Sequence, residues 1–501
     1  MKARGAPPWL EALGLAVVLT LTFICSAPSG WGYHEALLAF LFPALLFLLL
    51  FKGRPLAWTF LALFLGFSAL FHWVPAVVAN MGGLPYWLAF LGAALLNAWE
   101  ALGLLGVAAV ARHLYRRSGP WAAAFGAAAG IFIWELHGFH VYTWSWGSAL
   151  GGLPWLARGA AFLTTYGFSA LFWGAGALAG SYLAARRWRQ AALVPAATLA
   201  LLLLLSGAWR LLPREPERSL DVVIIQPNFD PGVRQAGMEA EMWLRSDAEL
   251  KAQGLPRQGV ATLLLWAESA VMERDDRKPN PRLQEEVRRR GLAWIFGTEG
   301  GLLNLLRGEA PGQPPFLQAK VQPMPFGERM PGPPAFRRWL DDRLGFRSQE
   351  PGSLTPRSSF TFPTPQGPLR VHPLICSEAL DCARVQRGLA IAGGDLLTNH
   401  SNDGWFERSI ATDMHGVQIR LRAVEAGLPL VRATLTGKSG LFREDGTWAL
   451  WGEARSEASY AFSLRWKPIR TPARAPILDH LWTLVLIAGA MLLAWRSKAT
   501  S

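Results

Sequence analysis

Acidic residues are almost absent from the first two-fifths of this 501-residue chain. There is no Asp before Asp221, and only Glu11, Glu35, Glu100 and Glu135 occur before position 210. Hydrophobic residues make up 51% of the chain, and long uncharged runs of them fill this region. A soluble domain needs charged residues on its surface, so this composition argues against a wholly soluble protein. It predicts a membrane-embedded N-terminal part.

Cysteine is also scarce, and three residues exclude a disulfide framework. Cys25 lies in the first apolar run, where we expect an inert buried thiol. A helix beginning after Cys376 would place Cys382 on a different face, so we expect no disulfide between them. His137 and His140 have no acidic cluster beside them, and no His or Cys set has zinc-site spacing. We therefore expect neither a metal nor a cofactor.

Eight apolar segments predict transmembrane helices. About 20 apolar residues are needed to cross the hydrocarbon core of a bilayer, and most of the segments approach or exceed that length. They cover residues 9–27, 34–51, 55–78, 85–111, 120–136, 155–184, 191–209 and 476–495.

The loops between these segments carry basic residues alternately, which predicts the orientation of the chain. Loops 28–33, 79–84 and 137–154 have no Lys or Arg, and Arg158 is the nearest exception. Cytoplasmic loops are enriched in Lys and Arg, so both termini should be cytoplasmic and residues ~210–475 should lie outside. The basic positions are Lys2, Arg4, Lys52, Arg54, Arg112, Arg116, Arg117, Arg186, Arg187, Arg189, Arg496 and Lys498.

The net charge of +13 does not indicate nucleic-acid binding. Much of the excess lies in the short loops that set the orientation, and no nucleic-acid-binding module is present. We expect the membrane, and no nucleic acid, as the partner of this charge.

The residues after the seventh segment predict an α/β domain. Continuous apolar strands alternating with helices indicate a sheet that helices cover. The Pro- and Gly-rich stretch 308–334 is expected to be irregular. The expected strands are Val222–Gln226, Leu263–Trp266, Leu292–Gly297, Leu369–Ile375 and Leu396–Asn399, and the expected helices are Met238–Gln253, Arg282–Arg290 and Ile410–Ala426.

Cys376 is the strongest catalytic candidate in this domain. It follows the apolar run that ends at Ile375, and Ser377 and Glu378 come next. This pattern predicts a strand that enters a sharp turn and a helix, a geometry that presents a nucleophile at the edge of a sheet. Backbone N–H groups at a helix N-terminus favour the thiolate, so we expect a reactive thiol.

Glu268 and Lys320 also follow predicted or possible strands, and they complete a coherent chemistry. A carboxylate can take the thiol proton, the thiolate can attack an acyl carbon, and an ammonium can stabilise the oxyanion. Spacing alone does not establish this set: Glu268 could be a surface residue, Lys320 a solvated loop residue and Cys376 a buried small hydrophobe.

Three short segments resemble the motifs of the nitrilase, or carbon–nitrogen hydrolase, superfamily. They contain Glu268 after Leu265-Trp266-Ala267, Lys320 eight residues before Glu328, and Cys376 within Ile375-Cys376-Ser377-Glu378. Combined with the apolar segments, the chain resembles the apolipoprotein N-acyltransferases, membrane enzymes of bacterial lipoprotein maturation. Trp134-Glu135, Ser401–Phe406, Arg422–Glu425 and Arg432–Thr434 also match, whereas Ala267 and Ser377 replace the Pro and Tyr common in relatives.

The resemblance implies an α-β-β-α sandwich and a Glu268–Lys320–Cys376 catalytic triad. It also implies supporting roles for Glu328 and Glu378. Loops bearing Phe326 and Trp405 are candidate contacts for acyl chains. The implied architecture is an eight-span helical bundle, with seven spans in residues 1–212, an extracytoplasmic nitrilase-like domain at 219–470, and a last span at 476–496.

The implied reaction moves an acyl chain from a phospholipid, typically phosphatidylethanolamine, through a Cys376 thioester to the N-terminal amine of a diacylglyceryl-cysteine apolipoprotein. The enzyme would work in the bacterial inner membrane, and we expect a monomer. Two other interpretations stay open from the residues alone. One is a membrane-anchored amidase or nitrile hydrolase, in which water resolves the thioester. The other is a transporter or lipid-binding scaffold with a degenerate domain.

Overall fold

The computed structural model describes residues 7–24, 32–82, 84–229, 238–272, 281–406 and 409–499. Cys25 lies outside these ranges. The chain divides into two compact units. The first comprises residues 1–211, 413–421 and 475–501, and the second comprises residues 212–412 and 422–474.

The first unit is helical. Its long apolar runs form helices because helical hydrogen bonding satisfies every backbone polar group within one segment. The helices up to residue 211 are α1 (Pro8–Ile24), α2 (Gly32–Phe51), α3 (Leu56–Leu70), α4 (Val74–Gly82), α5 (Tyr86–His137), α6 (Pro154–Ala157), α7 (Ala160–Ala184) and α8 (Trp188–Ala208).

Several of these helices have the length and apolarity of membrane spans. Within the described residues, three segments pass both criteria: Tyr86–His137, Trp188–Leu211 and Ile477–Trp495. The pair Leu56–Leu70 and Val74–Asn80, bent by 56°, makes a fourth if it is one span. Shorter apolar helices cover Pro8–Phe23 and Glu35–Phe51.

Two of the expected spans lie within α5, because that helix is interrupted at Gly119. The backbone there has φ 82° and ψ −169°, which is outside the helical region, and Pro120 begins the next helical stretch. Glycine adopts positive φ without a steric penalty, so the chain can change direction at this point. Residues 86–118 and 120–137 are therefore separate helical stretches.

Buried acidic residues of the first unit have polar partners. Glu100 is hydrogen-bonded to His140, whose Nδ1 lies 3.0 Å from Glu100 Oε1. Glu135 accepts hydrogen bonds from the Ser145 hydroxyl at 2.8 Å and the Trp146 backbone N–H at 2.7 Å. A carboxylate without such partners would be costly in an apolar environment. Both residues thus anchor the segment that follows α5.

The second unit contains thirteen strands in its described residues, arranged in two sheets. The first sheet has the order β13-β1-β2-β4-β5-β6, with β3 beside β4, and the second has the order β12-β11-β10-β9-β8-β7. The strands are β1 (Arg218–Gln226), β2 (Thr262–Trp266), β3 (Val271–Met272), β4 (Ala293–Gly300), β5 (Leu303–Glu309), β6 (Phe316–Ala319), β7 (Phe360–Phe362), β8 (Leu369–Ile375), β9 (Leu396–Ser401), β10 (Leu430–Thr434), β11 (Gly440–Phe442), β12 (Trp448–Trp451) and β13 (Ala458–Trp466).

Each sheet is parallel at its centre and antiparallel at its edges. β1, β2 and β4 run parallel, as do β8, β9 and β10. The five expected strands lie in these two central groups, so those predictions are confirmed. The other strands were not predicted, and β6 lies in the stretch 308–334 that was expected to be irregular, so this expectation was wrong for Phe316–Ala319.

The two sheets pack against each other through one side of each strand. Val222 and Leu263 of the first sheet share an apolar cluster with Val371 and Val431 of the second. Side chains alternate along a strand, so their neighbours form a second cluster on the opposite face. That cluster joins β1, β2 and β4 to Met242 and other helical residues.

Helices complete the layers of the second unit. They are α9 (Met238–Ala252), α10 (Pro281–Arg290), α11 (Pro334–Leu344) and α12 (Cys382–Ala392). α13 (Ala411–Ala426) comes next in the chain, and its residues 413–421 belong to the first unit. The expected helices correspond to α9, α10 and α13 and are confirmed. α12 packs closely on β8, since a Cβ at Gly388 would lie 2.3 Å from His372 Nε2. The last helix, α14 (Ile477–Ala499), belongs to the first unit.

Candidate active site

Glu268, Lys320 and Cys376 lie at the ends of three strands and are all buried. Glu268 follows β2, Lys320 directly follows β6, and Cys376 directly follows β8. Their exposed fractions are 4%, 1% and 9%. Lys320 Nζ lies 3.5 Å from Glu268 Oε1, and the Cys376 thiol interacts electrostatically with both residues. The structure therefore brings the three sequence candidates together.

Glu268 is held by two hydrogen bonds, one to each carboxylate oxygen. The Asn304 amide donates to Oε1 at 2.7 Å, and the Asn402 backbone N–H donates to Oε2 at 2.8 Å. Gly297 of β4 packs directly on this residue, because a Cβ there would lie 2.5 Å from Glu268 Cα. Any larger residue at Gly297 would displace the carboxylate.

Burial raises the pKa of Glu268 above the usual range of a carboxyl. The charge of Lys320 and the hydrogen bond from Asn304 act in the opposite direction, and the charge of Glu328 adds to the rise. A raised pKa makes Glu268 a stronger base than a solvated carboxylate.

Lys320 lies between two carboxylates. Its ammonium donates to Glu328 Oε1 at 2.7 Å, in addition to its contact with Glu268. Burial disfavours the charged ammonium, but the charges of Glu328 and Glu268 outweigh it and raise the pKa of Lys320. Glu328 is itself held by the Met324 backbone N–H, which donates to Oε2 at 2.6 Å. Lys320 is thus a fixed cation.

The Cys376 backbone is in the left-handed region, with φ 50°. Non-glycine residues seldom adopt this conformation, which here turns the chain sharply from β8 into a short 3₁₀ helix, Cys376–Leu380. The expected strand–turn–helix geometry is therefore present, with a 3₁₀ helix before α12.

Burial of Cys376 outweighs the preference of a helix N-terminus for a thiolate. Burial and the charge of Glu268 raise the pKa of the Cys376 thiol to about 12, although Lys320 and a contact from Ser401 act against this rise. Burial removes the water that would solvate a sulfur anion, and the nearby carboxylate repels it. Cys376 is therefore a neutral thiol in the resting protein and needs a base. Its neighbour Cys382 is also a free, buried thiol.

A ring of hydrogen bonds supports Cys376 from the side of the second sheet. The Ser401 hydroxyl lies 3.5 Å from Cys376 Sγ and donates to Asp403 Oδ1 at 2.7 Å. Arg432 donates to both oxygens of Asp403, at 2.7 and 2.6 Å, and also to the side chain of Asn399. The Asn399 amide closes the ring by donating to the Cys376 carbonyl at 3.0 Å.

The sequence assigned no role to this ring. Ser401, Asp403 and Arg432 lie in segments that match the family, and Asn399 was noted only as the end of an expected strand. A usable signal was present. β9 is buried along its whole length and yet contains Asn399, His400 and Ser401. Buried polar residues in a central strand need hydrogen-bond partners, so they indicate a network.

Glu378 connects the turn after Cys376 to the segment after Lys320. Its carboxylate accepts hydrogen bonds from the Ile375 backbone N–H at 2.9 Å and the Val321 backbone N–H at 2.7 Å. The Arg384 guanidinium lies 3.1 Å from the same group. The supporting role that the resemblance implies for Glu378 stays a prediction.

Phe326 and Trp405 lie on segments that the site anchors. Phe326, 49% exposed and with φ 61°, follows Met324 in the turn that Glu328 holds. Trp405 is half-buried and lies in the 3₁₀ helix that begins at Asp403. Their role as substrate contacts stays a prediction.

The geometry and fold together define a class of protein. A buried carboxylate, ammonium and thiol at the strand ends of two packed sheets suit acyl transfer through a covalent thioester. A family model described as "Carbon-nitrogen hydrolase" matches residues 337–457, which include Cys376 and Glu378.

Comparison with whole chains identifies the family more narrowly. The chain is 30% identical to "Apolipoprotein N-acyltransferase" of Allorhizobium ampelinum over an alignment of 377 residues. This alignment covers 68% of each chain. It is 27% identical to the protein of that name from Vibrio vulnificus over an alignment of 466 residues, and this alignment covers 85% of each chain. The chain therefore belongs to the apolipoprotein N-acyltransferase family. With its apolar helices, it is an integral membrane protein.

Proposed function

We propose that this chain transfers an acyl chain from a phospholipid, through a thioester on Cys376, to the N-terminal amine of diacylglyceryl-cysteine apolipoproteins. The observation that carries the proposal is the burial of Glu268, Lys320 and Cys376 close enough to interact electrostatically, within a chain of this family. The same thiol, base and cation serve both halves of the reaction.

In the first half-reaction, Glu268 takes the thiol proton as Cys376 Sγ attacks the ester carbonyl of the phospholipid. The carbonyl oxygen becomes an oxyanion, which the Lys320 ammonium stabilises. The intermediate then collapses, the carbon–oxygen ester bond breaks, and Glu268 returns its proton to the departing alkoxide. The products are the thioester and a lysophospholipid with a free hydroxyl.

In the second half-reaction, the neutral α-amine of the apolipoprotein attacks the thioester carbonyl. Glu268 takes a proton from the attacking nitrogen, and Lys320 again stabilises the oxyanion. The carbon–sulfur bond breaks, the thiolate recovers the proton from Glu268, and the product is an amide. Because both substrates pass through one covalent intermediate, ping-pong kinetics follow.

The pKa directions fit this cycle. The raised pKa of Cys376, about 12, keeps the thiol protonated until a substrate arrives, and the raised pKa of Glu268 makes it able to accept that proton. The raised pKa of Lys320 keeps the ammonium charged throughout. A protonated thiol with an adjacent base avoids the cost of a permanently buried anion.

The acyl chains of both substrates require the membrane. Each methylene group moved from an apolar phase into water costs ~0.8 kcal/mol, so a phospholipid cannot be extracted fully from the bilayer. We place eight spans in the bacterial inner membrane, with both termini cytoplasmic and residues 219–470 on the periplasmic side. The alternating basic loops support this orientation. Phosphatidylethanolamine is the proposed donor, and the chain is proposed to act as a monomer.

Purified protein supplied with phospholipid and a diacylglyceryl-cysteine peptide should N-acylate the peptide, as measured by mass spectrometry. Cys376→Ser should abolish both the product and the protein adduct that carries one acyl chain. Cys382→Ser is the matched control, because Cys382 is a second buried free thiol six residues away. It should retain activity within a few-fold. Release of free fatty acid alone would instead support the hydrolase interpretation.

The proposed lipid contact of Trp405 has its own test. Trp405→Ala should slow transfer from long-chain phospholipid more than tenfold while changing thioester formation with a short water-soluble ester by less than threefold. The physical reason is that only the long chain would use an apolar contact beyond the reacting carbonyl. Equal slowing of both donors would remove Trp405 from the lipid path.

A further inference from the structure

The first unit contains an elongated apolar cavity that the proposed reaction does not use. Its volume is about 590 Å³, within the ordinary range of small-ligand sites. All of its lining residues belong to α5, α7, α8 and α14 of the first unit, whereas Glu268, Lys320 and Cys376 belong to the second.

The lining residues form stripes along the helices. On α8 they are Gln190, Leu193, Val194, Ala197, Thr198 and Leu201, which recur at intervals of three and four residues. This spacing places them on one face, and eleven residues of helix span about 16 Å. The hydrocarbon core of a bilayer is ~30 Å thick, so this length is close to the hydrocarbon depth of one leaflet. The cavity thus has the length and polarity of an extended acyl chain.

One end of the cavity is polar, and arginines adjoin it. Tyr182 of α7 and Gln190 of α8 both line this end. Arg186, Arg187 and Arg189 lie between them in the sequence and are exposed. No carboxylate among the described residues forms an ion pair with any of the three. Four carboxylates of the first unit have partners elsewhere: Glu11 pairs with Arg54, Glu100 with His140, Glu135 accepts from Ser145, and Asp479 accepts from Thr164.

This charge pattern decides between lipid head groups. Guanidinium groups match the geometry of phosphate oxygens, so they favour a phosphate-bearing head group. A zwitterionic head group would bring an ammonium close to three cations. Among the described residues, no carboxylate forms an ion pair with these cations and so none would offset the repulsion. A net anionic head group meets no such repulsion. Basic sites between transmembrane helices on the cytoplasmic side bind anionic lipids in this way.

We infer that this cavity binds one anionic glycerophospholipid. The phosphate lies at Arg186, Arg187 and Arg189, and one acyl chain lies along α8 between Gln190 and Leu201. Lipid tails are as apolar as the cavity wall, so burial of the chain in itself contributes little, and selectivity comes from the head group and the shape of the cavity. No lining residue belongs to the proposed catalytic set, and the inference requires only that the chain spans a bilayer.

Native mass spectrometry of the full-length protein, titrated in detergent with phosphatidylglycerol or phosphatidylcholine of identical chains, tests the site. Cys376→Ala protein is titrated in parallel, so that turnover of lipid does not affect the count. We expect one tightly bound phosphatidylglycerol and at least tenfold weaker binding of phosphatidylcholine in both proteins. Equal affinity for the two lipids would overturn the inference, whether or not the protein has transferase activity.

Two pairs of variants locate the binding. Ala197→Trp fills the cavity, whereas Ala196→Trp places the same side chain about 100° around α8, off the lining stripe. The double variant Arg187→Gln, Arg189→Gln removes two charges at the polar end of the cavity. Its control is Lys52→Gln, which removes a charge just after α2, a helix that does not line the cavity. We expect at least tenfold weaker phosphatidylglycerol binding in the first of each pair and wild-type binding in the second. Unchanged binding in the arginine variant would contradict the site, even if both tryptophan variants failed to fold.

Discussion

At the scale of single residues, the site is a set of interdependent charges. The charges of Lys320 and Glu328 act on the pKa of Glu268, and the charges of Glu268 and Glu328 act on the pKa of Lys320. Lys320 is placed between two carboxylates, which keeps it cationic, and Glu268 is kept basic by burial. Removing Lys320 or Glu328 would therefore change the pKa of Glu268 as well as remove a contact.

Asn304 should set the acid limb of the activity profile. Its amide donates to Glu268 at 2.7 Å and lowers the pKa of that carboxyl. Glu268 acts as a base only when ionised, so activity falls as the pH drops through its pKa. Asn304→Leu removes the donor, raises this pKa further, and should move the acid limb of kcat/KM to higher pH.

The matched control for that experiment is Asn402→Ala. Asn402 holds Glu268 through its backbone N–H, which the substitution keeps. The acid limb should therefore stay at the wild-type position in Asn402→Ala. A limb that does not move in Asn304→Leu would show that Glu268 is not the titrating base.

At the scale of secondary-structure elements, β9 and β10 carry a polar network through an otherwise apolar core. Arg432 of β10 is fully buried, and it contacts Asp403 and Asn399. Asp403 follows β9 and packs against Gly437, where a Cβ would lie 2.2 Å from its Oδ2. A side chain at position 437 would therefore displace the Asp403 carboxylate.

Breaking this buried ion pair should destabilise the protein strongly. Asp403→Ala leaves the Arg432 cation without a main partner, and such losses cost roughly 3–5 kcal/mol. Thermal unfolding in detergent should show a large drop in Tm. The exposed pair of Lys251 and Asp247 provides the comparison, and Lys251→Ala should cost less than about 1 kcal/mol. Similar Tm values for Asp403→Ala and wild type would mean that the pair carries little of the stability.

β5 and β6, which the sequence did not predict, differ in composition from the predicted strands. β1, β2, β4, β8 and β9 contain apolar runs because they are central strands covered on both faces. β5 and β6 include Arg307, Gly308 and Gln318, which interrupt the apolar pattern. They form because β4 offers an antiparallel neighbour at its edge, a pairing that no local pattern records.

At the scale of the whole molecule, the proposed topology predicts opposite accessibility for two positions, one after α8 and one near the end of the first helical stretch of α5. Single cysteines are placed at Glu217 and at His113, both exposed, in a protein whose three native cysteines are replaced. A membrane-impermeant maleimide applied to intact cells with a permeable outer membrane should label position 217. Position 113 should react only after the inner membrane is opened. Labelling of both positions in intact cells would contradict the orientation.

Length, apolar runs and the alternation of basic loops were sufficient to predict a membrane part followed by an α/β domain. These properties are local, because a segment's hydrophobicity and period decide whether it enters a bilayer or a sheet. Cys376 was recognisable for the same reason: a strand, a turn and a helix start are contiguous in the chain. Glu268 and Lys320 became convincing only through the family resemblance, because any large domain contains many such residues.

The tertiary structure decided everything that depends on contacts between distant parts of the chain. It gave Glu100 and Glu135 their partners, closed the ring through Asn399, Ser401, Asp403 and Arg432, and made Cys376 a neutral thiol instead of a thiolate. The pKa of a group is determined by its burial and by charges from other strands, and neither is written in its sequence neighbours. The order of residues thus predicted which groups lie together at the candidate site, and packing determined their ionisation.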